Sequence, residues 1–173
     1  MTVRHVVFSH GKESGPWGTK ITALADTARA EGYAVESVDY RGIEAPADRV
    51  TRLVDACHAL SGELVLVGSS LGGYVTVQAA ATLHAKGVFL MAPALYRPGL
   101  APPRPRLLDC PATVVHGWND EVIPFEDSIR FAREYRASLH LLDSDHGLHS
   151  RLGEIKTLFE YFLVALDMPR PLD

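Results

Sequence analysis

Cysteine is scarce in this chain, with only Cys57 and Cys110 in 173 residues. So few exclude a disulfide framework, and their settings, Cys57 on an apolar helical stripe and Cys110 before Pro111, suit reduced structural thiols. Positive charge is also in short supply. Seventeen Lys and Arg against 21 Asp and Glu leave a net charge of −4 and a pI near 6.0. No cationic excess exists to track a phosphate backbone or an anionic bilayer, so nucleic acid is not an expected partner. Long apolar runs are missing too. Stretches such as 64–67 and 88–95, the second broken by Pro93, fall far short of the roughly 18 residues a membrane-spanning helix needs. The first five residues lead straight into a strand-like run without the apolar core of an export signal, which places the protein in the cytoplasm as an expectation. Disorder is excluded by a composition of 47% hydrophobic and 22% charged residues.

What is present is a rhythm. Short apolar, β-branched runs recur at 3–8, 34–38, 63–67, 87–91, 112–116 and 138–142, of the kind that strands buried on both faces require. Between most of them lie helix-length segments with apolar residues three and four apart. Val50, Leu53, Val54, Cys57 and Leu60 mark one such stripe, with Asp48 or a neighbour as its start. Ile155, Leu158, Phe159 and Phe162 mark another, with Ser150 as its expected cap. Alternating strand and helix predicts an α/β fold: a three-layer α/β/α sandwich around a mainly parallel sheet of about six strands. At this length, residues 1–173 read as one domain. The stretch 91–111 breaks the pattern, since six of the eleven prolines lie in it. It reads as a stiff ordered loop, serving either as a surface connection or as a wall or lid of a binding cleft.

The most telling segment is Gly68-Ser69-Ser70-Leu71-Gly72-Gly73, lying between the strand-like 64–67 and the helix-compatible 75–83. This is G-x-S-x-G in a strand, turn, helix context. Turning a strand into a helix over one residue strains that residue, and side chains two positions before and after would collide with each other or with the neighbouring strand. Glycines at 68 and 72 remove the collisions and leave Ser70 displayed at the carboxyl edge of the sheet. Ser69 sits off the centre of that glycine frame. The competing reading is a glycine-rich turn that binds phosphate or nothing.

A serine hydroxyl needs a base, and the base needs an orienting group. Asp120 follows the strand 112–116, and His146 follows the strand 138–142, in the loop Asp143-Ser144-Asp145-His146-Gly147. Three strand ends thereby converge on one crevice in the chain order Ser, Asp, His. Glu121 rivals Asp120, His149 rivals His146, and His116, inside its strand, reads as structural. An H-x-x-H pair at 146 and 149 lacks a third ligand at a recognisable spacing, so no metal and no cofactor are expected. Charge developing on a substrate carbonyl oxygen requires two N–H donors. One falls to Leu71, after the nucleophile, and the other to Lys12 in the glycine-rich loop after the first strand.

Together, His10-Gly11-Lys12, the glycine-framed serine, His116-Gly117-Trp118-Asn119-Asp120 through Pro124, and Asp145-His146-Gly147 resemble the α/β-hydrolase superfamily across nearly the whole chain. Within it the chain is most similar to small, lid-poor esterases of the YqiA-like and retinoblastoma-binding-protein-9-like kind. The resemblance implies that Ser70 attacks an ester, thioester or amide carbonyl, His146 moves the proton and Asp120 orients His146. The large members' leading hairpin and helical cap are missing, so an open, shallow cleft is expected, one that buries little of a long acyl chain. Trp17, Leu95, Tyr96 and Trp118 are the expected apolar lining. Arg97, Arg104 and Arg106 would attract an acidic substrate or merely face solvent.

The leading expectation is therefore a serine hydrolase acting on small acyl substrates. Two others stand beside it: a binding module of ligand or protein on the same fold, and peptide or carbon–carbon bond cleavage in the same site.

Overall fold

The computed structural model describes residues 2–101 and 108–168. Six strands form a single all-parallel sheet: β1 (Arg4–Ser9), β2 (Ala34–Val38), β3 (Glu63–Ser69), β4 (Gly87–Met91), β5 (Ala112–Gly117) and β6 (Ser138–Leu142). Each starts within a residue of its apolar run. Five helices alternate with them: α1 (Thr19–Ala30), α2 (Pro46–His58), α3 (Leu71–Ala80), α4 (Phe125–Tyr135) and α5 (Leu152–Ala165).

The sheet order is β2-β1-β3-β4-β5-β6. The chain moves outward from β1 to β2, then returns to the other side of β1 to lay down β3. That reversal opens a crevice at the carboxyl ends of β1 and β3, where the connections depart to opposite faces. Register keeps the rim level: Ser9 lies opposite Gly68, Ser69 opposite Met91, and Gly117 opposite Leu142.

Alternate residues of each central strand feed two cores. Val7, Leu66, Leu90 and Val114 pack with Leu53 of α2, Val75 of α3 and Phe131 of α4. Val6, Phe8, Val67, Phe89 and Val115 pack with Leu24 of α1 and Phe159 of α5. This is the three-layer sandwich the pattern predicts. Phe159 anchors the second core, with its ring 5.0 Å from that of Phe89 and 6.4 Å from that of Phe8. The outer strands depart from expectation: β2 and β6, at the sheet edges, are only half-buried because one flank of each has no neighbouring strand.

Two helix starts differ from the expected ones. Pro46, whose ring presets the helical φ, begins α2 ahead of Asp48, which lies in the first turn. Ser150 does not cap α5; its hydroxyl pairs instead with that of Ser144 at 2.8 Å, and the helix begins at Leu152. Among the described residues no helix is long and apolar enough to cross a membrane.

Candidate active site

Ser70 stands at the end of β3 with φ 54° and ψ −120°, a left-handed conformation that a residue with a side chain rarely adopts. Its surroundings hold it there. The Ser70 N–H donates to the Met91 carbonyl at 3.0 Å, and its own carbonyl accepts from Gly73 at 2.9 Å and Ala94 at 3.0 Å. A side chain on Gly68 would meet the backbone of Gly72 and Gly73, and one on Gly72 the backbone of Ser9 and His10. The glycine frame is thus a packing requirement at both positions. Ser69, buried at the end of the strand, also lines the cavity, but only Ser70 is hydrogen-bonded to His146.

The loops after β5 and β6 are tied to each other. Trp118 N–H donates to the Leu142 carbonyl, Asn119 N–H to that of Ser144, and the Asn119 side chain to Asp143 at 2.9 Å. This stitching brings Asp120 and His146 together: His146 Nδ1 lies 2.7 Å from Asp120 Oδ2, and His146 Nε2 lies 3.1 Å from Ser70 Oγ. A carboxylate only accepts, so Nδ1 carries the proton and Nε2 is left to accept from the hydroxyl. Glu121 is exposed, and His149, though it lines the cavity, is exposed and joined to neither Ser70 nor Asp120.

Asp120 has an acidic side chain entirely withdrawn from solvent. Burial pushes its pKa up, but the N–H groups of Ile123 and Val122 on Oδ1, each at 2.8 Å, together with His146 on Oδ2, pull it below the usual carboxylate value. A fourth donor comes from His116, for which the sequence predicts only a structural role. His116 Nε2 reaches Oδ2 at 2.9 Å, while its Nδ1 accepts from the Ser128 hydroxyl at 2.7 Å. A buried imidazole in an apolar strand must find polar partners somewhere, and that was the available signal.

The loop after β1 supplies the opposite wall. Gly11 passes so close to Ser70 that a Cβ on it would lie 3.3 Å from the serine Cβ. Its carbonyl accepts from His10 Nδ1 at 2.7 Å and from Arg49 Nη1 at 3.3 Å, both side chains being buried. The Tyr40 N–H donates to His10 Nε2 at 2.9 Å, so His10 is neutral with its proton on Nδ1. Burial lowers its pKa, consistent with that state. A trans peptide points its carbonyl and N–H in opposite directions. Anchoring the Gly11 carbonyl toward the core therefore turns the Lys12 N–H outward, and that N–H has no protein acceptor among the described residues. Leu71, first in α3, likewise has no intrahelical acceptor for its N–H.

A cavity of about 540 Å³ opens over Ser70 and His146. Its walls correct the expected apolar lining. Leu95 is fully buried in the core shared with α2 and α3 and does not reach the cavity. Tyr96 donates its hydroxyl to Glu134 at 2.6 Å and lies under the Arg130 guanidinium, so α4 holds it elsewhere. Trp17 and Trp118 are half exposed and outside the cavity wall, Trp118 resting edge-on against Phe125. The apolar side chains that line it are Ile21 and Val122 instead, and Lys12, Lys20 and Arg97 line it beside them. Arg104 and Arg106 lie outside the described residues, as does the middle of the proline-rich stretch. The part from Ala92 to Leu95 is buried and braces Ser70, which makes it more than a surface connection.

A left-handed serine between two obligatory glycines, at the switch point of a parallel sheet, defines a class, and the comparisons agree with it. The chain belongs to the alpha/beta hydrolase family, which matches residues 6–169. It is similar to a protein of the α/β hydrolase superfamily from Xanthomonas campestris pv. campestris, at 32% identity and a TM-score of 0.87, with 93% of this chain and 98% of that one covered. An α/β serine hydrolase without a lid, also from Xanthomonas campestris, shares the fold at 18% identity and a TM-score of 0.74, over 98% and 85% of the two chains. A serine hydrolase homologue from Coxiella burnetii does so at 22% identity and a TM-score of 0.76, over 93% and 85%. No curated protein matches the chain.

Proposed function

We propose that this hydrolase-family chain cleaves small carboxylic esters or thioesters through an acyl-enzyme, with Ser70 as nucleophile, His146 as base and Asp120 as orienting acid. The observation that carries the reading is the continuous line of hydrogen bonds from Ser70 Oγ through both nitrogens of His146 to Asp120. As Ser70 Oγ bonds to the substrate carbonyl carbon, its proton passes to His146 Nε2, and the Asp120 carboxylate stabilises the imidazolium. The N–H groups of Leu71 and Lys12 receive the oxyanion. Collapse breaks the bond to the leaving alcohol or thiol, which takes the proton from Nε2. Water then gives a proton to Nε2 as it attacks the acyl carbon, and the acid departs as Ser70 recovers its hydrogen. A serine hydrolase without a lid among its structural neighbours is in keeping with this reading.

The test is turnover of a p-nitrophenyl short-chain ester by wild type, Ser70→Ala and His146→Ala. Turnover by the wild type alone, with both variants folded by circular dichroism, is the expected result. Full activity in Ser70→Ala would overturn the assignment and leave the binding-module reading in its place.

A further inference from the structure

The protein is acidic overall, with a net charge of −4, yet the wall around Ser70 is not. Lys12, Lys20 and Arg97 all line the cavity, and Glu13 is the one carboxylate among its described lining residues. These three side chains have no hydrogen-bond or ion-pair partner among the described residues. Arg4, Arg41, Lys86, Arg130 and Arg151, by contrast, are each committed to a carboxylate.

We propose that this cavity selects esters bearing a negative charge, a carboxylate or phosphate on either the acyl or the alcohol half, and that Lys20, with Lys12 and Arg97, recognises that charge. The inference rests on the reading of Ser70 as nucleophile and names the substrate class it serves.

Lys20 is the central residue. It occupies the first turn of α1, which runs along the cavity wall from Gly18 to Ile21. It lines the same cavity as His146, and the charges of Asp120 and Asp145 favour its ammonium form. Both carboxylates have other occupations: Asp120 accepts four donors, and Asp145 accepts the Leu148 N–H at 3.1 Å. Burial lowers the Lys20 pKa, the mark of a cation that has lost water without gaining a bonded anion. A substrate anion would supply the missing partner, and a charge-assisted hydrogen bond in such a partly dehydrated place is strong. The start of α1 adds to the same field, since it has no side-chain cap and no acidic residue in its first turn. Arg97, exposed at the mouth, and Lys12, beside the oxyanion position, extend the positive surface over the path of entry.

The experiment compares matched ester pairs. Mono-p-nitrophenyl glutarate against p-nitrophenyl valerate places the charge on the acyl half. The 3-acetoxybenzoate anion against its methyl ester places it on the alcohol half. In at least one pair, wild type is expected to favour the anion by about tenfold or more in kcat/KM, with the ratio shrinking as added salt screens the site. Lys20→Met should bring that ratio close to one, and Lys20→Arg should keep most of it. A wild type that cleaves the neutral esters with no preference for either anion overturns the inference and leaves the serine-hydrolase reading standing. So does a preference that survives both Lys20→Met and high salt. If no ester is cleaved and a fluorophosphonate fails to label Ser70, the nucleophile reading itself is lost and the inference falls with it.

Discussion

His116 and His146 converge on one oxygen: both imidazoles bond Oδ2 of Asp120, at 2.9 Å from Nε2 of the first and 2.7 Å from Nδ1 of the second. With Oδ1 held by two backbone N–H groups, the carboxylate is fully engaged and has no freedom to rotate. The carboxylate proposed to orient His146 is itself held by a buried histidine on β5.

Replacing His116 with Gln should therefore reach the chemistry without touching substrate. A hydrogen bond to a charged group contributes about 1.5 to 3 kcal/mol, so kcat should fall roughly 10- to 100-fold if that support is expressed in the transition state. KM should move little. Steady-state kinetics on a short-chain ester gives both numbers, and a change confined to KM would show that His116 does not position the acid.

Arg49 offers a parallel test on the opposite wall. Its guanidinium helps fix the Gly11 carbonyl and so the direction of the Lys12 N–H. Arg49→Met should lower kcat by about tenfold or more, since losing a whole oxyanion donor costs roughly 10²- to 10³-fold. Labelling of Ser70 by a fluorophosphonate should slow in proportion, because that adduct uses the same donors. An unchanged labelling rate would remove Arg49 from this role.

Stability should decline as pH falls below neutral. His10 and His116 both have pKa values lowered from 6.5, with burial as the leading cause. Above 6.5 folded and unfolded chains are alike at these sites. Below it the unfolded chain takes up protons that the folded one refuses, so unfolding is favoured, by at most about 1.4 kcal/mol per pH unit for each histidine. The urea midpoint should drop between pH 7.5 and 5.5, and a constant or rising midpoint would contradict this account.

Two glycines should respond in opposite directions. At Gly72 an added methyl meets the Ser9 carbonyl, so Gly72→Ala should cost about 1 to 3 kcal/mol or more. At Gly153, within α5, nothing lies within 4 Å of the added atom, and Gly153→Ala should stabilise by roughly 0.5 to 1 kcal/mol. Thermal melts of the pair would separate packing from helix propensity.

Much of this fold and site is legible in the sequence. The four inner strands were legible because burial on both faces leaves an unbroken apolar run, and Ser70 because its turn demands glycine at two fixed offsets. Asp120 and His146 followed from their places at strand ends. What escaped has a common cause. The walls of the cavity come from the first turn of α1 and from loops whose side-chain directions obey no period, so nothing in the sequence turns Leu95 inward, ties Tyr96 to α4 or brings Lys20 to the site. Arg49 lies 38 residues from Gly11, and His116 reaches Asp120 only because the loop after β5 folds back on the strand.

The central claim is that one hydroxyl is activated by one imidazole. Its most direct test is labelling with a fluorophosphonate at neutral pH, followed by peptide mapping in wild type and in His146→Ala. A single adduct on Ser70 that forms in wild type and is lost in His146→Ala is the predicted result. No adduct, an adduct on another serine, or undiminished labelling without His146 would contradict the account.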